Sequence, residues 1–244
     1  MKHIVLFSGG CGSAYTAHLV SKEYDKKDII LLHTSTFAEH PDTKRFMNDV
    51  SKYIDIPITY FNDGRTLWEL IDQRDAMPNH HLPFCTQQLK QRQTEKYCNK
   101  LKREKQDFIL YFGYGVEEYK RMQKQFARFQ AKEIHVGYPL IKNKIKSEDL
   151  KKIIIKDWGV CLPITYKILK HNNCLPCFKG GKKHFYLIWK YFVSYYMKAE
   201  EAEEKTSFTV FKDVSLKKMR EGFEKELTFG FDDKIDTRDC FCVL

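Results

Sequence analysis

No stretch of this 244-residue chain is apolar for long enough to span a bilayer as a helix. The N-terminus also lacks a signal peptide's long apolar segment and small-residue cleavage site. Its first Met runs straight into a strand-like apolar run, so a cytoplasmic location and no membrane partner are expected. Internal repeats and low-complexity tracts are missing too, which argues against solenoids and tethers. Two familiar phosphate-binding signatures are absent: no glycine-rich loop closes on Gly-Lys-Ser/Thr, and Gly-x-Gly-x-x-Gly does not occur.

What is present allows a real core. At 43% hydrophobic residues, a chain of this length suits one globular domain with an elaboration. Its formal charge of +10 comes from 42 Lys and Arg against 32 Asp and Glu. The cations cluster in residues 90–105, 120–132, 142–156 and 167–183. Such an excess attracts polyanions, although solvated helix faces produce the same count. Eight cysteines in a chain expected in the cytoplasm argue for metal, cluster or thiol chemistry rather than structural disulfides.

The most informative segment is Ser8-Gly9-Gly10-Cys11-Gly12-Ser13, which follows the apolar run Ile4-Val5-Leu6-Phe7 and precedes a helix-forming stretch. Glycines in such a turn reach positive φ without a Cβ penalty and let backbone approach a ligand. The helix dipole and its unsatisfied N–H groups then favour a phosphate, and Ser8 and Ser13 add hydroxyls. The plainer alternative is a glycine-rich turn with no ligand.

Strand patterns at 3–7, 29–34, 57–61, 108–114 and 134–140 alternate with helical patterns at 13–24, about 40–54, 66–71, 87–104 and 147–157. Ser147 stands at the N-cap position of the last of these helices. The alternation predicts an α/β fold: a doubly wound, mostly parallel five-stranded sheet with helices on both faces. Ligands in such sheets sit beyond the strands' carboxyl ends, so Ser8–Ser13, the tip from Thr34 to His40, and 113–121 are expected to share a crevice. The pattern changes beyond Trp158. This gives a division into residues 1–157, the nucleotide-binding domain, and 158–244, a helical extension with cysteines. Phe185, Ile188, Trp189, Phe192 and Tyr196 form a stripe expected to be core, and Glu200–Glu204 a helix face or loop.

Cys174-Leu175-Pro176-Cys177 can grip one metal or cluster from a single turn, with further ligands from elsewhere. Cys85 is the best third ligand, and Cys161, Cys240 and Cys242 compete for the fourth place. A [4Fe–4S] cluster, a structural zinc and redox-active thiols remain open. Cys98, within an amphipathic helix, reads as a small buried hydrophobe, and Cys11 as a filler.

Together these pieces resemble the phosphoadenosine-phosphosulfate (PAPS) reductase-like branch of the PP-loop superfamily. Ser8–Ser13 is similar to the PP-loop, residues 36–43 to the segment after the second strand, and residues 84–90 to a Cys-Thr-Arg-x-x-Lys region. Residues 113–121 resemble Gly-x-x-x-x-Glu-x-x-Arg, Tyr138-Pro139-Leu140 a Tyr-Pro-Leu motif, and 173–189 an Asn-Cys-x-x-Cys-x-Lys-Gly-Gly run before an aromatic helix. The resemblance implies an adenine nucleotide, ATP or a sulfonucleotide, held by Ser8, Gly9, Gly10, Gly12, Ser13, Thr34 and Glu39. It also implies sulfur chemistry assisted by Lys90 and Arg121, with a cluster on Cys85, Cys174, Cys177 and Cys161. Glu39 and Asp42 are candidate Mg²⁺ ligands beside the phosphates, with helix-start acids as the plainer alternative. The leading expectation is ATP-dependent activation and thiolation of a nucleic-acid or small-molecule substrate. One alternative is a sulfonucleotide reductase using Cys240 or Cys242; another is a non-catalytic nucleotide- or nucleic-acid-binding component with zinc. Expected partners include a thiol electron or sulfur donor protein and a second copy of the chain. Gly12 stands where many ATP-cleaving relatives carry Asp, and Gln87 where many carry Arg.

Overall fold

The structure, a computed structural model, describes residues 1–225. In chain order its principal elements begin with β1 (Lys2–Leu6), α1 (Cys11–Glu23), β2 (Ile29–His33), α2 (Pro41–Ile54), β3 (Ile58–Tyr60) and α3 (Leu67–Arg74). A short α4 (Phe84–Thr86) leads through a π-helical stretch, Gln87–Gln91, into α5 (Arg92–Arg103). Then come β4 (Phe108–Tyr111), α6 (Tyr119–Gln130), β5 (Val136–Gly137), α7 (Pro139–Lys142) and α8 (Ser147–Trp158). The last elements described are α9 (Lys182–Tyr191), α10 (Val193–Thr206) and α11 (Leu216–Glu224). No helix among the described residues is long and apolar enough to cross a membrane.

The chain divides into two compact units. Among the described residues the first comprises 1–35, 41–62 and 92–164, and the second 36–40, 63–91 and 165–225.

The first unit holds the sheet, five parallel strands in the order β3-β2-β1-β4-β5, a doubly wound α/β fold. β1 is central, pairing His3 with Ile29 of β2 and Lys2 with Phe108 of β4. Ile4, Val5 and Phe7 are wholly buried, as expected for an apolar run covered on both faces. Strand order reverses at β1, which makes its carboxyl end the topological switch point where ligands bind in such sheets. α1 packs against α2, α7 and α8. Trp158 closes α8 by stacking on Tyr15 and Tyr53, with ring centroids 5.6 and 4.9 Å away.

Several boundaries here differ from the sequence pattern: α1 starts at Cys11 rather than 13, and β4 ends at Tyr111 rather than 114. β5 keeps two residues of the seven expected, because Pro139, at the first position of α7, turns the chain into a helix. The N-cap of α8 is Lys146, not Ser147; the Ser147 N–H instead donates to Glu117 Oε1 at 3.0 Å.

The second unit is helical, and a large apolar cluster fills it, running from Ala38 and Leu67 through Phe178 and Phe185 to Phe223. α3 opens on a capping box: Thr66 accepts from the Glu69 N–H while Glu69 accepts from the Thr66 N–H. The expected aromatic stripe is core, with Phe185, Ile188 and Tyr196 wholly buried. It does not lie on one helix, because the backbone breaks at Phe192 between α9 and α10. The Glu200–Glu204 stretch lies on α10; Glu201 and Glu204 are exposed, while Glu200 and Glu203 are buried. Glu200 takes both arms of Arg220 at 2.9 Å, and Glu203 accepts from the Val210 and Leu216 N–H groups at 2.7 and 2.5 Å. The reason is that loop 207–215 turns back on α10, and its buried donors need acceptors.

Candidate functional site

In the first unit β1 delivers the chain into Ser8–Gly10, and α1 starts at once. Gly9 sits at φ +82°, and a Cβ there would also come 2.6 Å from Thr43 Cγ2 and 3.1 Å from Met47 Sδ. Both conformation and space therefore demand glycine. Gly10 is the N-cap of α1 and supplies no side-chain acceptor, and the first turn carries no acid. The leading N–H groups of a helix have no carbonyl one turn back, so this end suits an anion. Ser13 Oγ donates to the Gly10 carbonyl at 2.8 Å, and Ser8 Oγ donates to Ser13 Oγ at 3.3 Å. The two hydroxyls thus sit together at the loop. Cys11 is buried.

Gly12 has a role that its local sequence does not announce. A Cβ there would lie 2.4 Å from the Gly113 carbonyl oxygen, and a Cβ on Gly113 would lie 2.5 Å from the Gly12 carbonyl carbon. α1 and the segment after β4 touch backbone to backbone. A Cβ at position 12 would collide with that backbone carbonyl. Asp42 is engaged elsewhere: it accepts from Arg45 Nε at 2.5 Å and from the Ile164 N–H at 2.7 Å. The same pairing with Asp42, then with Asp49, holds Arg45 above its ordinary pKa.

Arg121, on α6, pairs with Glu118, and its guanidinium lies 4.5 Å from the centre of the Tyr114 ring. Glu118 also accepts from the Gly115 N–H at 3.1 Å. Burial pushes the Tyr114 phenol up to about 12. Thr34 is buried directly after β2. Cys161 is exposed; its carbonyl accepts from Arg45 at 3.1 Å.

The second unit gathers a different set. Glu39 Oε1 accepts from the Thr36 N–H at 3.1 Å and from Thr36 Oγ1 at 3.0 Å, and lies 3.6 Å from Lys90 Nζ. Thr36 Oγ1 stands 3.0 Å from Cys174 Sγ, which is itself 3.9 Å from Glu39 Oε1. A bridge between Glu39 and Cys174, and a bond from the Leu175 N–H to the Ala38 carbonyl at 2.8 Å, fasten the thiol turn to this segment. Lys90 is only 4% exposed, an uncommon position for an ammonium unless paired. It lies in the π-helical stretch. The Cys177 N–H donates to His184 Nε2 at 3.0 Å, and burial lowers the His184 pKa to about 4. The imidazole is therefore neutral at pH 7, as an acceptor must be.

Cys85 is half-buried and packs against the apolar cluster that includes Cys174. Among the described residues no three His, Cys, Asp or Glu side chains converge as a metal-binding set. Cys240 and Cys242 lie outside the described residues. Cys98, inside α5, is fully buried, and burial pushes its thiol up to about 12. Four contributors were not singled out as site residues: Gly113 against Gly12, Thr43 against Gly9, Thr36 against Cys174, and His184 on Cys177. The motif-like segments 36–43, 113–121 and 173–189 contain all four, but their contacts are made only on folding.

The family model described as the phosphoadenosine phosphosulfate reductase domain matches residues 2–154. An uncharacterized nin region protein, ORF290, of Escherichia phage lambda is 29% identical over 217 residues, covering 78% of this chain and 70% of that protein. No solved structure matches the chain.

Proposed function

Because the chain belongs to the phosphoadenosine phosphosulfate reductase domain family, we propose that it is an enzyme of adenine-nucleotide-dependent sulfur chemistry, with the nucleotide's phosphates bound at Ser8–Ser13. The observation that carries this is the strand–loop–helix at the sheet's switch point, where Gly9 at φ +82° meets an acid-free helix start. Backbone amides of the loop bind the phosphates, and Ser8 and Ser13 turn their hydroxyls toward phosphate oxygens. Arg121, steadied by Glu118, adds positive charge. Lys90 and Glu39 act on the thiol turn, where Thr36 orients Cys174 Sγ.

A cluster or zinc supplies thiolate-bound metal chemistry in the finer form of this reading. The described residues do not complete a ligand set for it. A four-thiolate site on Cys174 and Cys177 would draw its two remaining ligands from among Cys85, Cys240 and Cys242. Within the reading, the chemistry at the nucleotide is either cleavage of ATP to activate a substrate oxygen that a sulfur donor then displaces, or release of sulfite from a sulfonucleotide with two electrons from a pair of thiols that ends as a disulfide.

Calorimetric titration of the full chain with ATP and with adenylyl and phosphoadenylyl sulfate tests the proposal. Binding of at least one nucleotide is expected, weakened by about 100-fold or more in Gly9→Val. Pyrophosphate or sulfite release then identifies the reaction. Absence of binding to all three, by a protein with an intact melting transition, would overturn it.

A further inference from the structure

The outward face of α6 takes no part in the contacts described above. Tyr119, Gln123, Phe126 and Gln130 recur at i, i+4, i+7 and i+11, one stripe of the helix, and all four are exposed. Tyr119 is 52% and Phe126 44% exposed. Lys120 and Lys124 are exposed beside them, one position further along the helix from Tyr119 and Gln123. The opposite side is occupied: Gln125 and Phe129 are buried, and Arg121 reaches Glu118 and Tyr114. Two large rings therefore stand in water about 10 Å apart along the axis, flanked by lysines.

The charge around them is predominantly positive. Residues 92–132 contain eleven Lys and Arg against five Asp and Glu. Glu95 joins α5 to α6 by accepting from Arg128 and Lys132, both at 2.6 Å, and Lys102 Nζ donates to the Lys132 carbonyl at 2.6 Å. Glu95 and Glu118 are thereby neutralised, while the exposed Lys96, Arg103, Lys120 and Lys124 have no carboxylate partner among the described residues. A single exposed ring is ordinary. Two rings on one stripe beside uncompensated cations combine the two chemistries that single strands need: faces for unpaired bases and charges for phosphates.

We propose that this face of α6 is a docking surface for single-stranded nucleic acid, with Tyr119 and Phe126 stacking on bases and Lys120 and Lys124 meeting phosphates. A duplex offers no base faces to such rings except at its ends, and the charge excess favours a polyanion over a neutral protein surface. The proposal stands on α5 and α6 alone and does not depend on nucleotide binding at Ser8–Ser13.

Fluorescence anisotropy of the full chain with labelled single-stranded RNA and DNA of about 12 nucleotides, and with the matching duplex, tests it. Single strands are expected to bind more tightly than duplex. The pair Tyr119→Ala and Phe126→Ala should weaken single-strand binding by about 10- to 100-fold. Lys120→Gln with Lys124→Gln should lower the salt dependence by about 1 to 2 counterions. All four positions are exposed, so an unchanged melting temperature verifies that these variants fold. Equal affinity for duplex, undiminished binding by the ring variant, or no oligonucleotide binding would each overturn the proposal. Failure to bind oligonucleotides, with a ring-dependent change of oligomeric state in light scattering, would assign the face to a second copy instead.

Discussion

The two units place their functional groups by opposite means. In the first, backbone does the work: Gly9 in the left-handed region, Gly12 against Gly113, and a helix start without a side-chain cap. In the second, side chains do it: Thr36, Glu39, Lys90 and Cys174 meet in one buried cluster, while Glu200 and Glu203 are clamped by Arg220 and by loop N–H groups. A site built from backbone is intolerant of added atoms, since a carbonyl cannot move aside as a rotamer can. A site built from side chains is vulnerable to removal, since each deletion strands a buried partner.

The largest effect should come from adding one methyl group to the first unit. Gly12→Ala forces its Cβ into the Gly113 carbonyl. Overpacking of this kind costs about 3 kcal/mol, read as a lower urea midpoint with an unchanged slope. An unaltered midpoint would show that the α1 start does not need this close approach. In the second unit the corresponding experiment is a deletion. Glu203→Ala leaves the Val210 and Leu216 donors without their carboxylate, for about 2 kcal/mol in the same measurement.

The Glu203 carboxyl also has a pH signature. Burial raises its pKa, outweighing the two backbone donors. The folded chain therefore holds this proton to higher pH than the unfolded chain does. Its contribution is complete below the ordinary carboxyl pKa and is lost as pH rises through the folded value. Glu203→Gln should remove that part of the slope in melting temperature against pH. A smaller effect, about 1 kcal/mol, is expected for Thr36→Val, which keeps the shape but deletes the hydroxyl between Glu39 and Cys174. If Thr36→Val were as costly as Gly12→Ala, the contrast between the units would be wrong.

Most of the first unit was legible in the sequence. Apolar runs marked β1, β2 and β4, and the helical pattern over about 40–54 marked α2, which spans Pro41–Ile54. The glycines of Ser8–Ser13 marked the loop. β5 was overextended because a run of apolar residues does not reveal that Pro139 has begun a helix. The second unit was less legible. The π-helical stretch at Gln87–Gln91 lies inside what reads as one regular helix, and the break at Phe192 interrupts an unbroken aromatic stripe. Glu200 and Glu203 look like solvent-facing acids until the loop that needs them is folded back.

By itself the sequence determined the local events: where strands and helices form, and where glycine must turn the chain. Those follow from backbone sterics and side-chain periodicity within a few residues. Tertiary structure alone decided which distant groups complete each site. Gly12 is constrained by Gly113, and Cys174 is met by Thr36 and Glu39, across separations that no local propensity encodes. Close approach of two backbones and satisfaction of a buried polar group belong to the packed molecule, because each requires a partner that only folding supplies.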